Sequence, residues 1–354
     1  MSQNYAAGLS KYKHKGVLGL KEIYDNDAEM KRKVLELSKL MQSAKHVVLH
    51  TGAGISTAAG ISDFRGPKGI WTAEKKKQKP APSKPFSEAI PTFTHMAIME
   101  LVRTGTVKFV ISQNIDGLHI RSGLSMDHLA ELHGNIFMEE CPKCHTRMLR
   151  KSPAPTIARK KTGGVCGTTG KRATPCRGEL IDNVLDWCSP LPETDLSSSE
   201  AHSRAADLNI VLGSTMQINP SGELPLKAKA RDPNSKFVIC NLQKTKFDDD
   251  ADLVIRAKVD DIFRGVMEHL ALSVGDYKPE QDPVLAISCE RIPLSRNLVQ
   301  PPVELLPQPK VNKRKTTLKS EPPQQDKKKL KVEPKDDGAM NEIEIDPKPE
   351  PTLF

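Results

Sequence analysis

Residues 46–60 read HVVLHTGAGISTAAG, an apolar run that passes directly into a turn of small residues. The run at 46–50 has the β-branched and apolar composition of a buried strand. Gly52, Gly54 and Gly60 then give the spacing G-x-G-x5-G, and we expect a helix to follow. Such a turn before a helix lets backbone N–H groups approach a pyrophosphate. Because the spacing differs from G-x-G-x-x-G, these residues alone leave two interpretations open, dinucleotide binding and a simple tight bend.

Four more apolar runs of the same kind follow along the chain, at residues 108–112, 209–212, 236–240 and 252–255. Apolar residues with helical spacing lie before the first run, at 29–41, and after the last, at 262–272. Continuous apolar strands are typical of a parallel sheet that is covered on both faces. The sequence therefore predicts an α/β fold, a Rossmann-like doubly wound parallel sheet.

Polar residues cluster after the first two predicted strands. Residues 62–67 (SDFRGP) place an acid, an aromatic ring and a guanidinium in one short loop, which suits a flat heterocycle and its phosphate or ribose oxygens. Residues 112–119 (SQNIDGLH) begin where the second predicted strand ends. Because ligands bind at the carboxyl ends of the strands in open α/β sheets, both segments strengthen the expectation of a bound cofactor.

Four of the seven cysteines, Cys141, Cys144, Cys166 and Cys176, follow the spacing C-x2-C-x21-C-x9-C. Two such pairs of thiolates suit one tetrahedral zinc ion, which is structural because protein fills all four positions. We expect a small zinc module, inserted at about residues 138–182, that depends on the metal for its folding. The alternative is a redox pair with two incidental cysteines.

Lys and Arg outnumber Asp and Glu by 53 to 44, which gives a formal net charge of +9. The excess favours an acidic partner such as nucleic acid, chromatin or an anionic cofactor, although an ordinary solvated surface gives the same count. No apolar run reaches the roughly 18 residues that span a bilayer, and the N-terminus lacks the apolar stretch of a secretory signal. We therefore expect a soluble intracellular protein that does not contact membranes.

The composition changes near residue 278, because residues 279–354 hold 13 of the 27 prolines and Phe354 is their only aromatic residue. Such a segment buries too little apolar surface to offset the entropy of ordering. The sequence thus predicts an N-terminal segment at 1–26, a folded domain at 27–272 and a disordered tail at 273–354. Basic clusters at 313–315 and 327–329 indicate either a nuclear import signal or a solubilising tail.

Several separated motifs occur in one order: GAGIS at 52–56, SDFRG at 62–66, QNIDGLH at 113–119, LHGN at 132–135, GST at 213–215 and NLQ at 241–243. Together with the cysteine set, they resemble the sirtuin family of NAD-dependent protein deacylases over about residues 20–272, and residues 4–10 and 186–187 are similar to its class IV branch. The resemblance implies a nuclear, chromatin-associated enzyme that removes acyl groups from lysines of histone tails and other nuclear proteins, with NAD+ as co-substrate and one structural zinc ion. It also implies roles in gene silencing and DNA repair, and contacts with nucleosomal DNA through the basic surface and tail.

The resemblance further implies which residues act. In the family the acyl oxygen attacks the nicotinamide ribose and expels nicotinamide, and a histidine then acts as general base on a ribose hydroxyl, which leads to O-acyl-ADP-ribose. His133 stands at that position, and an imidazole suits the task because its ordinary pKa lies near neutrality. Asn114 and Asp116 match the residues that orient the nicotinamide ribose and the carboxamide. The family's other cofactor contacts fall here on Ala53, Thr57, Asp63, Phe64, Arg65, Trp71, Gln113, Gly213, Thr215, Asn241, Gln243 and Val259.

Three segments depart from the family pattern. Ser62 stands where proline is usual, which predicts a looser cofactor loop. Ser214 and Thr215 reverse the commoner order of the two hydroxyl residues, but either hydroxyl can bond a phosphate. Trp187-Cys188 replaces a Val-x-Phe substrate clamp, which predicts a weak grip on the peptide and a preference for long-chain acyl groups.

Three other functions compete with deacylation. Mono-ADP-ribosyl transfer uses the same expulsion of nicotinamide with an amino-acid nucleophile, and a non-enzymatic chromatin module would use only the zinc insert and basic tail. An NAD dehydrogenase would leave nicotinamide attached to the cofactor, so release of nicotinamide distinguishes deacylation and ADP-ribosyl transfer from a dehydrogenase reaction. The presence of His133, Asn114 and Asp116 together favours an active enzyme.

Overall fold

The structure is a computed structural model that describes residues 5–169 and 174–294, all within one unit, Met1–Gln308. The strands in these residues are β1 (Val47–Thr51), β2 (Val107–Ser112), β3 (Leu129–Glu131), β4 (Met138–Glu140), β5 (Arg147–Arg150), β6 (Lys161–Val165), β7 (Glu179–Asp182), β8 (Leu208–Leu212), β9 (Lys236–Cys240), β10 (Leu253–Ile255) and β11 (Arg291–Pro293). The α-helices are α1 (Tyr5–Gly8), α2 (Asp27–Ser43), α3 (Ile70–Lys75), α4 (Phe93–Arg103), α5 (Leu118–Arg121), α6 (Glu193–Ala205), α7 (Lys227–Arg231) and α8 (Val259–His269).

Six strands form a parallel sheet in the order β3-β2-β1-β8-β9-β10. The chain builds one half outward from β1 and the other outward from β8, so the strand order reverses between these two strands. This is the doubly wound arrangement that the sequence predicts, and ligands bind such sheets where the order reverses. All five predicted strands occur with nearly the predicted bounds, whereas β3 has only three residues and gives no recognisable pattern.

Both faces of the sheet are covered. Val47 and Leu49 of β1 point into the larger apolar core with α2, α4 and α8, whereas Val48 points into a second cluster on the opposite face, near α6. Successive side chains of a strand alternate between faces, and every residue of β1 is buried. The continuous apolar run at 46–50 therefore reflects burial on both sides.

The structure corrects two expectations about helices. Helix α2 begins two residues earlier than the spacing predicts, because the Asn26 side chain accepts a hydrogen bond from the Glu29 N–H (2.9 Å) and caps the helix. The α-helix predicted after the small-residue turn is absent from the described residues 53–60, which form two short 3-10 turns, Ala53–Ile55 and Thr57–Ala59. Gly60 ends the second turn in the left-handed conformation, with φ of 86°.

Five strands form a second, antiparallel sheet in the order β11-β5-β4-β7-β6. Four of them come from residues 138–182, the stretch where the sequence predicts the zinc module. The fifth, β11, joins the edge of β5 from about 140 residues further along the chain.

The chain packs beyond both of the predicted domain boundaries. At the N-terminus the Ile23 N–H donates to the Leu242 carbonyl (2.9 Å), so residues before 27 belong to the folded domain. At the C-terminus Val284 and Ile287 are buried in the main core, which corrects the predicted start of the tail at residue 273. The high proline content concealed these few apolar anchors. The remainder of the predicted tail, with both basic clusters, lies outside the described residues.

No helix among the described residues is long and apolar enough to cross a membrane.

Candidate active site and metal centre

The turn after β1, which we call the glycine loop (residues 51–60), lies directly against the loop after β8. The Gly54 N–H donates to the Gly213 carbonyl (2.8 Å), and a Cβ on Gly54 would lie 2.7 Å from the Gly213 Cα. Gly213 has φ of 61°, and a Cβ there would lie 2.7 Å from the Ile55 nitrogen. Glycine is therefore required at positions 54 and 213, because the backbones of the two loops lie in contact at the point where the strand order reverses. Their lack of side chains lets the two loops lie in contact at the sheet edge where ligands bind in folds of this kind.

A hydrogen-bonded group of three side chains lies at the carboxyl ends of β1 and β2. The Ser56 hydroxyl donates to Asp116 Oδ2 (2.7 Å) and accepts from Asn114 Nδ2 (3.2 Å). Asn114 Nδ2 also donates to the Gly52 carbonyl (3.1 Å). The structure thus brings Asn114 and Asp116 together and adds Ser56. Ser56 is part of the GAGIS motif, but the sequence alone indicates no role for it, because only the fold shows that its hydroxyl bridges the other two side chains.

Asp116 is buried, and burial raises the pKa of its carboxyl above the ordinary value. The Leu118 N–H, the Ser56 hydroxyl and the positive charge of Arg121 act in the opposite direction and lower that pKa. A buried carboxylate is tolerated only with such partners. The donors around Asp116 therefore hold an acceptor at a fixed place at the sheet edge.

His133 lies at the same edge, after β3. Its Nδ1 is 2.9 Å from the Gln113 carbonyl, and because a carbonyl only accepts, Nδ1 carries the proton. In the neutral ring the lone pair is then on Nε2. Burial lowers the pKa of His133, the bond to Gln113 opposes this shift and the charge of Arg65 adds to it, so that the pKa is about 4. The imidazole is therefore neutral at pH 7, in the form that accepts a proton.

The loop that carries Asp63, Phe64 and Arg65 folds back on α3. The Ile70 and Trp71 N–H groups donate to the carbonyls of Asp63 (2.9 Å) and Phe64 (3.0 Å). The Arg65 guanidinium lies 4.7 Å from the Trp71 ring centroid, a cation–π distance. Burial lowers the pKa of Arg65 to about 10, which leaves it charged at neutral pH.

Ser62 begins this loop, and its N–H donates to the Ser83 hydroxyl (3.1 Å). Proline, the usual residue in the family, has no N–H to donate. Serine at position 62 therefore adds a hydrogen bond to the segment around residue 83. Its effect on closure of the loop over the cofactor stays a prediction.

Aromatic side chains gather around Phe64 and Trp71. The Trp187 ring lies 5.0 Å from Trp71 and 5.8 Å from Phe64, and the Tyr12 ring stacks on Trp187 at 5.6 Å. Tyr5 reaches Phe64 at 5.9 Å from the N-terminal segment. The sequence did not predict a place for Tyr5 and Tyr12 beside these rings, because nothing in a polar N-terminal segment indicates that it packs against the loop at residues 62–67.

The remaining predicted cofactor residues lie at the same sheet edge with different degrees of exposure. Asn241 Nδ2 donates to the Gln243 carbonyl (2.9 Å), and Gln243 Nε2 donates to the Leu20 carbonyl (2.7 Å), so both amides are engaged with backbone. Val259 is buried as the first residue of α8. Ala53, Thr57 and Thr215 are exposed or half-buried on the loops after β1 and β8. Their contacts with a cofactor stay predictions.

The four predicted zinc ligands converge in the second sheet. Their sulfur atoms all lie within 4.8 Å of one another, with Cys141 to Cys176 at 3.7 Å and Cys144 to Cys166 at 3.6 Å. A tetrahedral ion with bonds of about 2.3 Å separates its sulfur ligands by about 3.8 Å. These separations are far longer than a disulfide bond, so the four cysteines are free thiols. All four sulfur atoms surround one point, which fits a four-thiolate zinc site better than a redox pair with two incidental cysteines.

The cysteines differ in their surroundings. Burial disfavours the thiolate at Cys144, but hydrogen bonds with Thr146 and Thr168 lower the pKa of that thiol, whereas burial raises the pKa of the neighbouring Cys141 thiol. Gly178 lies so close to the cluster that a Cβ there would be 2.4 Å from Cys141 Sγ. The backbone at Gly178 therefore lies in direct contact with Cys141.

Comparison with known proteins agrees with the geometry. The Sir2 family model matches residues 79–220. The chain is 50% identical over 285 residues to the NAD-dependent protein deacetylase Sirt6 of Drosophila melanogaster, which covers 80% of this chain and 89% of that protein. It is 37% identical over 275 residues to the NAD-dependent protein deacetylase sirtuin-7 of Homo sapiens, covering 75% of this chain and 67% of that protein. A solved structure of Sir2 with a p53 peptide and NAD+ matches with a TM-score of 0.51 at 30% identity, covering 67% of this chain and 98% of that chain.

The chain therefore belongs to the sirtuin (Sir2) family. The sirtuin resemblance that its motifs indicate is confirmed, and the chain is Sirt6-like in sequence. The doubly wound fold with an inserted four-cysteine module is confirmed as well.

Proposed function

We propose that this protein is an NAD-dependent protein-lysine deacylase that releases nicotinamide and O-acyl-ADP-ribose. The observation that carries the proposal is the state of His133, a neutral imidazole whose Nδ1 is held by a main-chain carbonyl while Nε2 keeps its lone pair. It lies at the sheet edge where the strand order reverses, in a chain that is 50% identical to a NAD-dependent protein deacetylase. The presence of Asn114 and Asp116 beside it supports catalysis over a purely binding role.

The chain's own residues divide the work. The glycine loop and Gly213 offer a cradle for phosphates, and the Phe64 and Trp71 rings, tilted by 54° to each other, offer apolar surface. Bound NAD+ supplies an electrophilic ribose carbon with nicotinamide as leaving group. Asn114 and Asp116 provide hydrogen-bond partners, held in fixed positions, for the ribose and the carboxamide. His133 Nε2 accepts the proton of a ribose hydroxyl.

The range of acyl groups and partners is the finer part of the proposal. The aromatic cluster of Phe64, Trp71 and Trp187 offers apolar surface for a long acyl chain. Exposed Lys75, Lys76 and Lys77 at the end of α3 add to the net charge of +9 and suit nucleosomal DNA beside a histone tail. A nuclear location and roles in gene silencing and DNA repair rest on the family resemblance, and mono-ADP-ribosyl transfer is proposed as a side activity of the same chemistry.

The test is to incubate the full chain with NAD+ and one histone peptide that carries either acetyl-lysine or myristoyl-lysine. Nicotinamide and O-acyl-ADP-ribose should form in equal amounts, with higher kcat/KM on the myristoyl peptide. Nicotinamide without O-acyl-ADP-ribose, together with labelled protein, would favour ADP-ribosyl transfer. Formation of NADH would favour a dehydrogenase, and no turnover of NAD+ would favour the non-enzymatic module.

A further inference from the structure

Residues 277–293, assigned to the tail by composition, run back over the domain and reach both sheets. Asp282 is fully buried, with 0% of its surface exposed, and Val284 and Ile287 are buried beside it. Further along, Arg291 forms an ion pair with the buried Glu139 (2.8 Å) of the second sheet, where β11 pairs with β5. We call this stretch the C-terminal strap.

The partner of Asp282 is Arg121 at the end of α5, which is only 3% exposed. Arg121 Nε donates to Asp282 Oδ2 (2.8 Å), and the Tyr277 hydroxyl donates to the same oxygen (2.7 Å). Arg121 Nη2 lies within hydrogen-bond distance of the Tyr277 oxygen (3.4 Å). A buried guanidinium without its carboxylate partner is an uncompensated charge, so the strap fixes where this group lies.

The other side of the guanidinium holds main chain that supports the glycine loop. Arg121 Nη1 donates to the carbonyls of Phe86 (3.1 Å) and Ala89 (2.6 Å). Ala89 is fully buried and packs against Ala59 of the glycine loop. The contacts thus form a continuous path from the strap, through Arg121 and the segment 86–89, to the loop that also carries Ser56.

We propose that Asp282 is a positioning residue for NAD+ binding, which acts through Arg121 on the segment 86–89 and the glycine loop. This inference rests on the proposed function. The C-terminal strap then contributes to cofactor binding. The cradle that the glycine loop offers to the phosphates keeps its shape only while Asp282 and the carbonyls of segment 86–89 hold the Arg121 guanidinium from opposite sides. Binding of the acylated peptide should be less affected than binding of NAD+, because the path of contacts ends at the glycine loop.

The experiment compares three full-length variants with the wild type. Asp282→Asn removes the charge and keeps the size, Tyr277→Phe removes only the second donor to Asp282, and Glu280→Gln removes an exposed charge from the same strap as a matched control. KM is measured separately for NAD+ and for the acylated peptide, below the thermal midpoint of each variant. The two tryptophans, Trp71 and Trp187, both lie in the aromatic cluster, so their fluorescence reports ADP-ribose binding without turnover.

For Asp282→Asn we expect the KM for NAD+ and the Kd for ADP-ribose to rise about tenfold, with the peptide KM within about twofold of wild type. Tyr277→Phe should shift the same two constants by about threefold and Glu280→Gln should shift neither. If Asp282→Asn does not fold, the Tyr277→Phe result decides the question. The inference is overturned if the thermal midpoint falls while both KM values and the Kd stay unchanged, or if the two KM values rise together. Turnover by the wild type in the same assay keeps this outcome distinct from a failure of the proposed function.

Discussion

Replacing Ser56 by alanine removes a hydroxyl that hydrogen-bonds two residues of the candidate site. Asn114 Nδ2 keeps its bond to the Gly52 carbonyl (3.1 Å), but Asp116 Oδ2 loses a donor at 2.7 Å. A hydrogen bond to a buried ionised group contributes about 1.5–3 kcal/mol, so we expect the free energy of unfolding at pH 8 to fall by about that amount. The serine is itself only 1% exposed, which leaves water little access to replace the bond.

The loss should depend on pH in a defined direction. The Ser56 hydroxyl lowers the pKa of Asp116, so its removal raises that pKa further. The destabilisation is then fully present where Asp116 is ionised and shrinks as the pH falls and the carboxyl is protonated. If ionised Asp116 is needed for NAD+ binding, the acid limb of kcat/KM for NAD+ should move to higher pH in the variant.

Urea unfolding at several pH values and kcat/KM for NAD+ across the same range test this prediction. Ser38→Ala is the matched control, because Ser38 is also buried and its hydroxyl donates only to the Val34 carbonyl (2.8 Å) within α2. The reasoning is refuted if Ser56→Ala loses no more stability than Ser38→Ala, or if its loss is the same at every pH.

Two further predictions concern the metal centre and acid stability. Gly178→Ala should release zinc and lower the melting temperature, because its Cβ would lie 2.4 Å from Cys141 Sγ. Gly167→Ala is the control and should keep its full zinc content by mass spectrometry, because a Cβ there meets nothing within 4 Å. Equal zinc content in the two variants would contradict this close contact. Burial lowers the pKa of His50 to about 4 and that of His119 to about 3 in the folded protein. In the unfolded chain both histidines bind a proton near pH 6.5, whereas in the folded chain they stay neutral at that pH. Stability should therefore fall between about pH 6.5 and 4 by about 1.4 kcal/mol per pH unit for each histidine, and a urea midpoint that is constant from pH 7 to 5 would contradict this.

The sheet could be predicted from the sequence because its strands are buried on both faces and their apolar runs are continuous. The same periodicity gives no sign of β3, which has three residues, or of β11, which joins its sheet from a segment that looks like a tail. Composition averages over tens of residues, whereas the strap is held by a few buried groups such as Asp282 and Val284. Average composition therefore placed the end of the folded domain too early.

For the site, the motifs identified residues that the fold does bring together. His133, Asn114 and Asp116 gather at one sheet edge, and the four cysteines converge on one point. The sequence could not show Ser56 as a bridge, because hydrogen bonds between distant segments have no pattern along the chain. It also could not show that the N-terminal segment brings Tyr12 onto Trp187.

The central claim, that His133 is the general base of an NAD-dependent deacylase, is tested most directly by one product measurement. His133→Asn keeps a donor for the Gln113 carbonyl and removes the basic nitrogen, so the fold and the zinc content should not change. With NAD+ and an acylated histone peptide, we expect O-acyl-ADP-ribose formation to fall by about 100- to 10,000-fold relative to the wild type. Formation of O-acyl-ADP-ribose at the wild-type rate by the pure variant would contradict the account.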